Sequence, residues 1–278
     1  MIRFINNENK TTRIEKRGDV EVIRPVIFDE YPFIDAFFST RMGGVSKDEF
    51  ASMNLGYNRG DERERVDENY RIIKKTMGLE GLDMIKSKQT HTCNVFWTKD
   101  LKGRDYNDVD GLVTASVDEV LVTSFADCVP VMIVDVNKRM CATLHSGWKG
   151  TLGNIIKNGI SMLRGAGCDV ADMKVFIGPS ICKDCYEIGA DVADKFRSVY
   201  SQEDIEKILG PMRDRKYYLD LHEACRLNLL HEGIPEENIS VTDMCTACNG
   251  DYIFSHRKSH GLRGTMCGFI RLKEGNCE

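Results

Sequence analysis

The sequence predicts an α/β protein in which mixed β-sheet layers are flanked by helices. Three observations carry this. Strand-like runs rich in β-branched and aromatic residues outnumber helical ones. The helical runs show apolar residues three and four apart. The two kinds interleave without the strict strand–helix–strand beat of a purely parallel sheet. With 278 residues, 42% hydrophobic and 29% charged, the chain is long enough to bury a substantial core. It is also too apolar and too balanced in charge to be disordered.

Residues 20–28 and 34–39 open the strand series. Residues 94–98, 111–114 and 120–125 continue it, the last dominated by β-branched side chains. The runs 129–136 and 140–144 flank Asn137-Lys-Arg139, which reads as a hairpin turn. Later strands are expected over 174–177, 239–242, 252–255 and 266–272. The first helix is expected over about 150–164, where Leu152, Ile156, Ile160 and Leu163 share a face before Gly165 and Gly167 stop it. The second covers about 190–200, with Val192, Phe196 and Val199 on one side. The third, about 221–231, carries Leu221, Ala224, Cys225 and Leu229 and ends at Gly233-Ile-Pro235. Residues 47–71, with Asp61-Glu-Arg-Glu-Arg65 at their centre, read as a solvated loop and helix face. No repeat, low-complexity tract or linker marks a domain boundary.

A formal net charge of −5 offers no basic stripe, so nucleic acid is not an expected partner. The longest apolar run, residues 128–134, is far shorter than the ~20 residues that span a bilayer, so no membrane is expected either. The first ten residues lack the apolar stretch of a secretory signal, and a cytoplasmic chain is expected. Eleven cysteines is an odd count in a long chain without an export signal, so they are read as thiols.

Histidine is scarce: His91, His145, His222, His231, His256 and His260. His91 opens an apolar strand, and His145 closes one where Gly147-Trp-Lys-Gly150 leads into a helix. Cys128 lies between them in Ala126-Asp-Cys-Val-Pro130, at the junction of two strands. Reactive groups gather at such ends, because the sheet is rigid and the loops are open. Two imidazoles and one thiolate leave the fourth tetrahedral position of zinc free, as in catalytic sites. The same set suits a blue-copper centre, or two satisfied histidines and a buried thiol. A multicopper oxidase would need His-x-His pairs, and none occurs.

Cys182-Lys-Asp-Cys185 and Cys245-Thr-Ala-Cys248 compete for a metal. A zinc ribbon keeps roughly 15–20 residues between its pairs; here a whole predicted helix intervenes. Among Gly-rich turns, Ser39-Thr-Arg-Met-Gly-Gly44 sets Arg41 beside two glycines, and Lys149 precedes a helix, each suited to an anion. Phe254-Ser-His-Arg257 is a third polar cluster. No Walker loop, dinucleotide fingerprint or G-x-S-x-G is present.

Taken in order, several motifs resemble those of the YfiH family, also called laccase-domain-containing or polyphenol oxidase-like. They are Phe38-Ser-Thr-Arg-Met-Gly-Gly-Val-Ser46, Asn54-Leu-Gly56, Gln89-Thr-His91, Asp110-Gly-Leu-Val-Thr114 and Ala126-Asp-Cys-Val-Pro-Val131. His145-Ser-Gly-Trp-Lys-Gly150, Ile177-Gly-Pro-Ser-Ile181, Cys185-Tyr-Glu-Ile-Gly189 and Phe254-Ser-His-Arg257 complete the set. The resemblance spans about residues 20–272 and departs from the family at Cys182 and Ser146.

That resemblance implies one catalytic domain over 1–278, layered like the cytotoxic necrotizing factor deamidases. It implies a metal, usually zinc with copper as the other candidate, on His91, Cys128 and His145. It further implies a purine nucleoside phosphorylase that also deaminates adenosine and cleaves methylthioadenosine. Peptidoglycan-precursor editing at the same site and copper polyphenol oxidation are the alternatives. Deamination suits zinc, which activates water near neutral pH for attack on an amine-bearing ring carbon. Asp127, Arg41 and Gln89 are the expected catalytic residues: a proton shuttle, a phosphate holder and a hydrogen-bond partner for the nucleoside. Asn54, Asp110, Lys149 and Arg257 are the expected substrate-binding ones. The expected partners are purine nucleosides and phosphate, met by a monomer.

Overall fold

The computed structural model describes residues 2–5, 11–101, 106–212 and 214–274. Its strands and helices run β1 (Thr12–Arg17), β2 (Val20–Pro25), β3 (Ile34–Ser39), α1 (Arg63–Met77), β4 (Asp83–Lys86) and β5 (Val95–Trp97). Next come β6 (Gly111–Thr114), β7 (Glu119–Phe125), β8 (Val129–Asp135), β9 (Met140–Ser146), α2 (Trp148–Leu152), α3 (Ile155–Gly165) and β10 (Met173–Ile177). The rest is β11 (Glu187–Ile188), α4 (Ala190–Val199), α5 (Gln202–Ile208), β12 (Tyr217–Tyr218), α6 (Leu221–His231), β13 (Ile239–Val241) and β14 (Met266–Leu272).

Two six-stranded sheets stack face to face. The first has the order β1-β2-β3-β14-β7-β4 and the second β13-β10-β8-β9-β6-β5. Both are mixed: β4 runs parallel to β7, β5 to β6 and β10 to β13, while the remaining pairs within them are antiparallel. Helix α1 covers the outer face of the first sheet, burying Ile73 and Met77 against Val20, Val22, Phe37 and Phe269. Helices α3 to α6 cover the outer face of the second. The expected α/β class with mixed sheets flanked by helices is what the chain adopts.

Strand β8 shows why sequence periodicity is muted. Val129, Val131 and Ile133 face the helices, whereas Met132 and Val134 face the other sheet. All seven β8 residues are buried, so the strand reads as one apolar run rather than an alternation. Between the sheets, Phe38 is fully buried. A Cβ on Gly178 or Gly268 would come within 2.6 or 2.9 Å of its ring, so both glycines are packing requirements. Burying such a side chain contributes about 1.5–3 kcal/mol.

Four expectations are corrected. The helix expected over 150–164 is two, α2 and α3, broken at Gly153 and Asn154. Asn154 takes a left-handed φ of 53° and caps α3 by accepting from the Lys157 N–H. Residues 252–255 form turns, not a strand, although Ile253 and Phe254 are buried. Residues 26–28, expected to extend β2, form a 3-10 turn. The stretch 47–71 does hold a loop and the start of α1, but it is not simply solvated: Phe50, Met53, Asn54, Leu55, Val66 and Asn69 are buried. Strands β1 and β4 and helix α5 were not anticipated.

Candidate metal centre

The site forms where strands of the second sheet end. Antiparallel pairing of β8 with β9 sets Pro130 opposite His145 and Val129 opposite Ser146. One step further out, Cys128 therefore meets Gly147. Pairing of β6 with β9 sets Gly111 opposite Leu144, and the His145 N–H donates to the Asp110 carbonyl at 2.7 Å. His91 arrives on the loop between β4 and β5.

The donor atoms of His91, Cys128 and His145 all lie within 4.8 Å of one another, and no fourth His, Cys, Asp or Glu joins them among the described residues. His91 Nε2 is 3.7 Å from Cys128 Sγ. The two imidazoles meet edge to face, 4.9 Å between centroids. His145 is buried, Cys128 half-buried and His91 exposed, so the group opens to solvent on one side.

Asp110 organises the cluster from behind. Its Oδ1 accepts from His145 Nδ1 at 2.8 Å and from the His91 N–H at 3.0 Å. Its Oδ2 accepts from the N–H groups of Thr90 and Thr92 and from the Thr92 hydroxyl. One carboxylate thus fixes the His91 loop and the ring of His145, leaving His145 Nε2 for the site. Burial pushes the Asp110 carboxyl up, but the His145 and Thr92 hydrogen bonds outweigh it and hold it at about 2.

Burial also raises the Cys128 thiol, yet His145 and then His91 bring it down to about 6. His145, lowered by burial, is pushed up to about 9 by Cys128 and Asp110. A thiolate at Cys128 and the Asp110 carboxylate behind His145 supply the negative charge that a cation held there needs. Space agrees with charge: a Cβ on Gly147 would come within 2.9 Å of His91 Cδ2 and 3.0 Å of Cys128 Sγ. Two imidazoles, one thiolate and an open side fit a catalytic metal ion. His91 and Asp127 take left-handed φ values of 65° and 87°, conformations that non-glycine residues adopt mainly where the surroundings enforce them.

The other expected residues divide. Asp127, next to Cys128, accepts from the Thr246 hydroxyl at 2.5 Å and the Arg257 N–H at 2.6 Å. The Arg257 guanidinium lies 5.2 Å over the Tyr186 ring and donates to the Glu187 carbonyl. Burial and Cys128 push the Tyr186 phenol up to about 12, which sets this face beside the metal ligands. Asp110 stands behind the histidines rather than toward solvent. Gln89 is clamped to the backbone of Ser124 in β7 by two 2.7 Å bonds.

Arg41 and Asn54 are engaged elsewhere. Arg41 donates to the carbonyls of Ala51 and Gly250 and stacks 4.6 Å over Phe254. Asn54 is fully buried and bonded to Gly56, Asp61 and the Thr265 N–H. Lys149 is exposed on α2, its ammonium 5.7 Å over the Trp148 ring.

One residue was overlooked. Arg263 is 7% exposed; its Nη1 donates to the Gly264 carbonyl and the Thr265 hydroxyl, while Nε has no partner. Burial pulls its guanidinium down to about 10, Arg59 adds to that, and Asp127 and Cys128 oppose it. A signal was present: Gly261-Leu-Arg-Gly264 sets an arginine between glycines ahead of an apolar strand, akin to Arg41, which stands beside two glycines after one.

Comparison with known proteins gives a consistent picture. Residues 35–273 match the family described as multi-copper polyphenol oxidoreductase laccase. The purine nucleoside phosphorylase YlmD of Geobacillus stearothermophilus is 34% identical over 259 residues, covering 87% of this chain and 92% of that protein. Its crystal structure superposes with a TM-score of 0.87 at 30% identity, over 96% of this chain and 100% of that one. The adenosine deaminase RL5, from an unknown prokaryotic organism, is 30% identical over 81% of this chain and 88% of its own length.

Proposed function

The chain belongs to the multi-copper polyphenol oxidoreductase laccase family, and from that premise we propose that it is an enzyme of purine nucleosides. It is a zinc-dependent purine nucleoside phosphorylase that also deaminates adenosine and cleaves methylthioadenosine. Relatives named for phosphorolysis and for adenosine deamination both support this reading. The observation that carries it is the open group of His91, Cys128 and His145, braced by Asp110, with the Arg263 guanidinium near it. Copper in the family's description does not change the ligand count. Among the described residues these three donors provide for one ion, and the sequence has no His-x-His pair.

His91, Cys128 and His145 would hold the zinc, which when bound would provide a Lewis acid beside the substrate. The chain's own residues do the rest. Asp110 keeps the proton of His145 on Nδ1, so that Nε2 stays a ligand. Phosphorolysis needs an anion held under the ribose anomeric carbon; the Arg263 guanidinium, which feels Asp127 and Cys128, suits that task, and Arg257, anchored to Asp127 through its backbone N–H, stands next to it. Asp127, both oxygens engaged, holds the 257 backbone and Thr246 in place; it is a positioning residue. Deamination needs the same pocket without phosphate.

Product analysis after incubation with adenosine, with and without phosphate, tests the reading. Inosine should form in both cases, and adenine with ribose-1-phosphate only when phosphate is present. Failure to convert adenosine, inosine or methylthioadenosine under either condition would overturn it.

A further inference from the structure

The two C-x-x-C pairs meet. Strand β10 ends at Ile177 and β13 at Val241, and these two residues pair in parallel register. Parallel strands deliver their C-terminal loops to the same edge. Cys182 comes five residues after β10 and Cys245 four after β13. The alignment continues past the strands: Ser180 bridges Cys245, and the Thr246 N–H donates to the Ser180 carbonyl at 2.9 Å. A 3-10 turn over Lys183–Cys185 then brings the second cysteine of the first pair back toward the first.

The four sulfurs all lie within 4.8 Å of one another. Cys185 and Cys248 approach to 3.5 Å. That is far longer than a disulfide bond of about 2.05 Å and close to the separation of about 3.8 Å that a tetrahedral ion with Zn–S near 2.3 Å requires. Cys245 Sγ accepts from the N–H groups of Cys182 at 3.2 Å and Cys248 at 3.4 Å. Amide donors of this kind stabilise sulfur as a thiolate ligand.

We propose that the chain holds a second metal ion, a closed tetrathiolate zinc centre on Cys182, Cys185, Cys245 and Cys248. Four protein sulfurs complete its coordination, so it is structural where the first centre is open. It staples the segment after β10 to the segment after β13. Thr246, which donates to Asp127, and Tyr186, which lies under Arg257, are each the next residue after one of its ligands. The staple thus braces the wall of the open site. The proposal does not depend on which reaction that site performs.

Reduced, chelator-stripped Cys128→Ala protein, titrated with Co2+ and followed by absorption, isolates this centre. One equivalent should bind, with the strong sulfur-to-cobalt charge-transfer bands and red-region envelope of a four-sulfur tetrahedral site, and zinc should displace it. Absence of that spectrum would overturn the proposal. Zinc content of Cys248→Ser, altered at an exposed position, should fall by one per chain relative to the native protein; an unchanged content would contradict it. Native protein unfolded with chelator and without reductant should give all 11 thiols. A deficit of two or four would mean disulfides instead.

Discussion

The Nδ1 of His145 lies 2.8 Å from Oδ1 of Asp110, and the same oxygen also takes the backbone N–H of His91. A single carboxylate therefore couples the ring of one metal ligand to the loop of another. Asp110→Asn should lower metal affinity about 10–100-fold, as loss of a partner behind a ligating histidine does. Metal titration of the chelator-stripped protein measures it.

The same substitution has a pH signature. Asp110 is held near 2 in the folded chain against about 3.8 when unfolded, so its carboxylate stabilises the fold above pH 3.8. That contribution fades as pH falls through about 2. Native protein should exceed Asp110→Asn by about 1–3 kcal/mol near neutrality, and the gap should narrow as pH is lowered from 5 toward 2. Denaturant unfolding at a series of pH values checks the trend; a gap that widens on acidification would contradict it.

Gly147→Ala places a methyl group where His91 and Cys128 leave room only for hydrogen. The backbone at 147, with φ −72°, accepts alanine, so the fold should persist. Crowding of about 1–3 kcal/mol translates into roughly 5–150-fold weaker metal binding. Unchanged metal affinity would show that the three donors gather differently.

Arg263→Met should raise the KM for phosphate roughly 10–150-fold, the worth of a charge-assisted hydrogen bond of about 1.5–3 kcal/mol. Phosphate-independent deamination should change far less. Equal loss of both activities would make Arg263 a structural residue.

Asn54→Ala separates binding from architecture in the opposite sense. Asn54 reaches only protein partners, so its loss should cost about 1–3 kcal/mol of stability while the nucleoside KM stays put. Calorimetry alongside steady-state kinetics distinguishes the two.

Much of the site is legible in the sequence. Strand ends and scarce histidines point to His91, Cys128 and His145, and the central strands announce themselves by β-branched runs. Helix α1 is obscured because its buried face, Val66, Asn69, Ile73 and Met77, is thin among many charges. Strand β4 carries only Met84 and Ile85 as apolar residues, too few to signal a strand. Ile253 and Phe254 look like a strand because they are buried, yet they belong to turns that seat Arg41 and Gly264 against the Phe254 ring. Linear spacing misjudges the cysteine pairs, since parallel pairing of β10 and β13, invisible to a spacing rule, brings them together. Arg263 announces itself only by its flanking glycines, since burial of a lone arginine leaves no periodic trace.

Metal content measured together with phosphate-dependent release of ribose-1-phosphate, for native protein and Cys128→Ala side by side, probes the open centre most directly. The variant should hold one ion fewer per chain and release no product. Equal metal in both proteins, or product from the variant, would contradict the account.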